Sequence, residues 1–283
     1  GDPALPPPTR IVLISPMIGV TEMARFAGIF GWPAAFPPFA KASWLGIVPE
    51  FNPFKYNSFP VNGARQSSLA ARALQREIAE YAGAGKLAAL PPVLTFQSVV
   101  DFTVSTRAIV DALYAHLPAN GSELVLFDLN RSAKFSPLMR ASNDNVLARL
   151  LPPPPRRFAT TVVTNEGRNS LEVVARFTPA GATAETTTPL GLEYPAQVFS
   201  LSHVALPFPL NDSLYGLKPD STDEDFGVQL GAMSFRGERG TLTMSLDSLI
   251  RMASNPFFPY MQKRIEEGIT GSGSPAAVTP APR

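Results

Sequence analysis

His203 is one of only two histidines in the chain, and it stands where a short apolar run, "VFSLS", gives way to a proline-rich loop, "HVALPFPLNDSLYG". It reads either as an ordinary loop residue or as a catalytic imidazole, which loops of this kind commonly hold because the loop reaches the surface while a rigid element fixes its root. An imidazole backed by a carboxylate performs one chemistry well. The ring takes a proton from a hydroxyl nucleophile and returns it to the leaving group, while the carboxylate fixes the tautomer and stabilises the imidazolium. The carboxylate best placed for this is Asp101, just past the apolar "VLTFQSVV" and just before a helical pattern. That position is the carboxyl edge of a parallel sheet, where ligands and catalytic groups of open α/β sheets gather. Taken alone, Asp101 also reads as a capping or turn aspartate. Asp128, in "LVLFDLNR", competes as the acid, but it is followed by Leu129 and can cap or pair with Arg131. Asp212 reads as a turn residue of the outer loop, and His116 as a residue complementing the end of a helix dipole.

The pair lacks a hydroxyl to deprotonate. No Gly-x-Ser-x-Gly occurs, the sharp strand-to-helix turn that exposes a nucleophilic serine. Ser15 ends an apolar run, but Pro16 follows it and has no N–H to offer an oxyanion. Ser202 adjoins His203, and neighbouring side chains in extended backbone point to opposite faces. Ser58, Ser67 and Ser68 lie in an inserted segment, and the serines of "TGSGSP" lie in a low-complexity tail. Other chemistries are excluded more directly. Without cysteine there is no disulfide framework, thiol nucleophile or thiolate metal site. Two distant histidines with no HExxH provide no zinc site, and neither a Walker A nor a GxGxxG phosphate loop appears. No metal or cofactor is expected. A net charge of +1 with scattered Lys and Arg leaves no basic face for nucleic acid.

Elements that would position Asp101 and His203 are legible in the pattern. "IVLIS", "PPVLTFQSVV" and "SELVLFDLN" are continuous apolar runs of the kind found in strands covered on both faces of a parallel sheet. Between the last two, Ile109, Val110, Leu113, Tyr114 and Leu117 fall at helical spacing, with Ser105 or Thr106 as N-cap. Strand, helix, strand with short joins predicts a right-handed crossover and a doubly wound, mostly parallel α/β sheet. A longer insert, Thr21 to Ala89, starts aromatic and proline-rich and ends in an amphipathic helix with Leu74, Ile78 and Tyr81 on one face. It reads either as extra core or as a cap whose aromatics wall an apolar pocket. After "LLPPPPRR", the stretch "RFATTVVTNEGRNSLEVVARF" predicts a hairpin turning at Gly167, and "TPAGATAETTTPLGLEYP" reads as a polar loop. Asn255-Pro256 opens a last helix, "FFPYMQKRIEEG", and the remainder, "GSGSPAAVTPAPR", reads as disordered.

At 283 residues, 45% hydrophobic and with 30 prolines, the chain is large enough for one substantial domain or two smaller ones. "RIVLISPMIGV", "FNPFKYNSFPVNGARQ", "PPVLTFQSVVDFTVSTRAIVDAL", "SELVLFDLNR" and "FSLSHVALPFPLNDSLYG" together resemble the C-terminal half of a bacterial α/β-hydrolase of the lysophospholipase or esterase-like kind. The resemblance runs to about Tyr215, with "FKYNSFPVN" and "SLSHVALPF" its most specific parts. It implies Asp101 as triad acid and His203 as triad histidine, in the family's order of nucleophile, acid, histidine. It implies a partial core over residues 1–20 and 90–270, a cap over 21–89 and a disordered tail over 271–283. It further implies an ester or lipid-like substrate, and a serine and oxyanion hole lying before Gly1. The start at Gly-Asp-Pro, without Met, fits a chain that begins partway through a longer protein. "RIVLIS" would then expose an edge that a missing N-terminal segment or a partner chain covers. The alternative expectation is a non-catalytic ligand-binding or scaffolding derivative of the same fold. No signal peptide is visible, and the compartment stays open.

Overall fold

The structure, a computed structural model, describes residues 8–47, 58–132, 143–219 and 254–271. The aliphatic run Ile11–Ile14 forms β1. The chain then passes through short 3-10 turns and α1 (Ala27–Gly31) to β2 (Trp44–Gly46), and resumes at β3 (Phe59–Pro60) and the long α2 (Val61–Gly83). It returns as β4 (Val93–Ser98), α3 (Thr106–Ala108) with a π-helical continuation over Ile109–Tyr114, and β5 (Glu123–Phe127). After α4 (Val146–Leu150) come β6 (Ala159–Asn165), β7 (Glu172–Thr178) and β8 (Thr186–Glu193), and α5 (Phe258–Thr270) closes the described chain.

These elements pack as two units. The first holds the described parts of Gly1–Ser15, Leu90–Asp101 and Ala119–Arg283; the second holds those of Pro16–Ala89 and Phe102–Pro118. In the first, one six-stranded sheet runs in the order β1-β4-β5-β6-β7-β8. The pairs β1–β4, β4–β5 and β5–β6 are parallel, and β7 and β8 are added antiparallel. The sheet is therefore α/β and mostly parallel, as the apolar runs predict. β4 and β5 are buried at every residue, so β5 runs apolar from Leu124 to Phe127 while β4 buries Thr95 and Gln97 between its apolar residues. β1 differs from its expected cover on both faces. It ends the sheet, and Val12 and Ile14 remain 37% and 39% exposed.

The predicted hairpin is β6–β7, and its first strand also pairs with β5, so it extends the main sheet. "TPAGATAETTTPLGLEYP" holds a strand, β8, where a loop was expected. As the outer strand it is exposed along most of its length, so its polar sequence and Pro189 carry no strand signal. The Asn255 side chain accepts from Phe257 N (2.9 Å), and the proline inside the first turn of α5 is Pro259 rather than Pro256. Of the expected disordered tail only Gly271, in left-handed conformation, falls within the described residues.

One face of the sheet, carrying Leu94, Phe96, Val125, Phe127, Val163 and Val173, closes over Phe257 and Met261 of the α5 region and over Tyr194, Val198, Leu201 and Leu206. Phe257 stacks on Phe127 at 5.7 Å and meets Tyr194 edge-on at 5.0 Å. The Tyr194 hydroxyl donates to Asp128 O (3.0 Å). Complete burial pushes this phenol well above its ordinary range, and the Asp128 charge adds to the shift while Arg131 opposes it. A raised folded-state pKa means that the folded chain keeps a proton the unfolded chain gives up. This contribution to stability is therefore whole below about pH 10 and falls as pH rises above it. Urea unfolding across alkaline pH should show that decline, and Tyr194→Phe should flatten it. An unchanged decline in the variant would remove Tyr194 as its source.

In the second unit, Val20 bridges Val104, Ser105 N donates to Gly19 O (2.9 Å), and Gln75 Nε2 donates to Ile18 O (2.8 Å). A Cβ on Gly19 would lie 2.4 Å from Ala108 Cβ, so only glycine allows this approach. Ser105 is the N-cap of α3, its Oγ accepting from Ala108 N (3.1 Å), and Ile109, Val110, Leu113, Tyr114 and Leu117 are all buried as their spacing predicts. The face of α2 predicted from Leu74, Ile78 and Tyr81 is not the buried one. Val61, Ala64, Ser68 and Ala71 are buried instead, and Leu74 and Tyr81 are 40% and 50% exposed. Small residues allow close packing on that stripe, a preference that hydrophobic spacing does not register.

Candidate active site

Asp101 and His203 are 102 positions apart, and the sheet brings them together. β4 and β5 are parallel neighbours, so their carboxyl ends share an edge, and Val99 N→Phe127 O (2.9 Å) carries the pairing past the end of β4. Asp101 follows two residues later. From β5 the chain runs to Asn130, which grips the returning segment twice: its N donates to Phe199 O and its Nδ2 to Val198 O, both at 2.9 Å. Val198, Phe199 and Leu201 are buried below, so the chain emerges at His203 from a fixed root. "VFSLS" is thus held by Asn130 and by core packing, and forms no named strand of the sheet.

The Asp101 carboxylate holds His203 at two places. Its Oδ2 accepts from the His203 backbone N at 2.7 Å, and the ring Nδ1 lies 2.9 Å from Oδ2 and 3.1 Å from Oδ1. The Asp101 side chain is fully buried, whereas that of His203 is 23% exposed. A carboxylate at these distances accepts from Nδ1–H, and that tautomer leaves the ring lone pair on Nε2. Backbone and ring are fixed by the same carboxylate, which leaves the imidazole little freedom to turn. An imidazole held in this way can serve as an oriented general base.

The other titratable candidates have different tasks. Asp128 is saturated: Arg131 donates to both of its oxygens at 2.9 Å, Thr164 Oγ1 donates at 2.9 Å, and Leu129 N at 2.8 Å. It anchors the loop after β5. Asp212 accepts from Leu214 N and Tyr215 N, closing a turn so tight that a Cβ on Gly216 would lie 2.3 Å from Asp212 O. His116 is exposed at the end of the helical segment after α3. Ser15 adopts φ +47° at the end of β1, Ser202 is fully buried, and Ser67 and Ser68 lie within α2. None has the strand-to-helix setting of an exposed nucleophile. Ser58 lies just before β3, and the serines of "TGSGSP" fall outside the described residues.

Asn130 is the residue that sequence reasoning missed. An asparagine just past a strand is a visible signal, but its partners lie 68 residues on. Among the described residues no group of three His, Asp or Glu is gathered to hold a metal. A groove of about 480 Å³ opens elsewhere, lined by Phe177, Leu190, Leu192, Tyr260 and Lys263 among others, and includes neither Asp101 nor His203. No protein-family model, curated protein or solved structure matches the chain.

Proposed function

We propose that Asp101 and His203 are the acid and the general base of a serine acyl-transfer site on an α/β-hydrolase fold, and that the protein hydrolyses carboxylic esters. The observation that carries this reading is the buried Asp101 carboxylate holding both the backbone N and the ring Nδ1 of His203 at the carboxyl edge of a parallel sheet. In the reaction, His203 Nε2 takes the proton of a serine hydroxyl as that oxygen attacks the ester carbonyl. It then returns the proton to the departing alcohol, and Asp101 stabilises the imidazolium between the two steps. Water repeats the cycle on the acyl-enzyme. Esters with an apolar acyl group, lysophospholipids among them, are the substrate class.

The serine comes from outside these 283 residues. The exposed apolar edge of β1 supports this, because a further parallel strand there would place its own carboxyl end beside that of β1, on the same sheet edge as the end of β4. A fluorophosphonate probe tests the reading. It should leave the 283-residue chain unlabelled, and should label a single serine in the longer protein or in the complex that contains the chain. Stoichiometric labelling at a serine inside the chain would refute an external nucleophile. No labelling in the longer protein would favour a ligand-binding derivative of the fold.

A further inference from the structure

The aromatic segment of the second unit has its side-chain sizes arranged in reverse. Toward α2 it buries Ala24 and Ala27, which pack with Val61 and Ala64. Glycines let the two approach: a Cβ on Gly31 would lie 2.9 Å from Val61 Cγ1, and one on Gly28 3.2 Å from Arg65 Cδ. The large apolar side chains face water instead. Ile29 and Trp32 are each 70% exposed, Phe39 59%, Phe36 53%, Phe26 45% and Trp44 43%. A soluble surface scatters such residues singly, and a contiguous stretch of them marks something that covers it.

We propose that this surface docks on a phospholipid bilayer that contains anionic lipid. Between Glu22 and Glu50 the only charged residues are Arg25 and Lys41, so within the exposed apolar stretch the charges are cationic. The Arg25 guanidinium lies over the Phe26 ring at 4.8 Å, holding a cation among the apolar groups. Cations beside exposed Trp, Phe and Ile match the two layers of a membrane interface, anionic headgroups above acyl chains. A specific protein partner fits less well. Such interfaces carry about one hydrogen bond per 100–200 Å², and Ser43 is the only uncharged polar residue other than tryptophan in the same stretch. No described helix is long and apolar enough to cross a membrane.

Both tryptophans of the chain, Trp32 and Trp44, lie in this surface, so intrinsic fluorescence reports on it alone. The full chain should be mixed with vesicles of phosphatidylcholine, alone and with phosphatidylglycerol. The mixed vesicles should shift tryptophan emission to the blue and carry the chain down on sedimentation, less so at high salt. Ile29→Ser with Phe39→Ser keeps both reporters and should weaken partitioning at least about tenfold. Thermal unfolding of this variant should change little, because both side chains are already mostly exposed. Absence of the blue shift and of co-sedimentation overturns the proposal. So does lipid-free emission that is already blue-shifted, in a dimer through a second copy or in a monomer through another segment of the chain. No substrate enters the measurement, so its result is independent of the ester-hydrolase reading.

Discussion

If the chain supplies the acid and base of the proposed ester hydrolase, Asp101→Asn should lower the rate of hydrolysis about ten-thousandfold in the protein that also carries the serine. The size follows from the tautomer. The asparagine oxygen can still accept from the His203 backbone N, so the loop keeps its place. The amide nitrogen then takes the position of the second carboxylate oxygen, 3.1 Å from ring Nδ1, and its donor competes there with the retained oxygen 2.9 Å away. Where the amide donates to Nδ1, the ring proton moves to Nε2, and the atom that must accept the serine proton is blocked. The result also loses the negative charge that stabilises the imidazolium. Steady-state kinetics should show the loss in kcat with little change in KM, because neither side chain is asked to bind the acyl group. A second readout needs no nucleophile. Imidazole nitrogen NMR of the 283-residue chain should find His203 protonated on Nδ1 in the parent and on Nε2 in the variant. If the tautomer stays on Nδ1 and activity survives, Asp101 does not orient this base.

Arg264→Leu destabilises the first unit by about 3–5 kcal/mol, a large part of the stability of an ordinary domain. Arg264, on α5, reaches Glu123 at the start of β5 with two hydrogen bonds, NH1→Oε1 at 3.0 Å and NH2→Oε2 at 2.7 Å. Thr161 Oγ1 on β6 also donates to Oε1 at 2.7 Å. The side chains are only 20% and 7% exposed. Burial alone would lower the Arg264 pKa, but hydrogen bonds and charge from Glu123, with Tyr260, outweigh it and hold the guanidinium above its ordinary value. Without its cation the Glu123 carboxylate is left desolvated, and that accounts for most of the cost. Glu123→Met with Arg264→Met should therefore recover much of the loss, because no charge is then left buried. Urea unfolding of the parent, the single variant and the double variant measures both effects. A single variant that costs under about 1 kcal/mol would place the pair among surface ion pairs of little consequence.

Local chemistry was readable without coordinates wherever one segment decides its own state. β4 and β5 are buried at every residue and carry their strand signal in Val93, Leu94 and Phe96 and in Leu124 to Phe127, and Ser105 caps α3 through a bond three residues away. β8 and the buried stripe of α2 depart from their sequence patterns for a common reason. The outer position of β8 in the sheet makes a polar run strand, and close packing against Ala24 and Ala27 makes alanines the buried face of α2. Neither cause lies in the segment itself.

The same division applies to the site. The amino-acid sequence by itself determined which groups are on offer: one carboxylate past a buried strand, one histidine at the root of a proline-rich loop, no cysteine and no serine elbow. Tertiary structure decided which of three aspartates meets the histidine. Asp128 and Asp212 have donors within a few residues or on a neighbouring strand, which satisfy their oxygens. Asp101 meets His203 only because parallel pairing of β4 with β5, and the grip of Asn130 on Val198 and Phe199, bring two distant loops to one edge. Residue types are local properties, whereas a proton relay requires a distance of about 3 Å between groups, and only packing sets such distances.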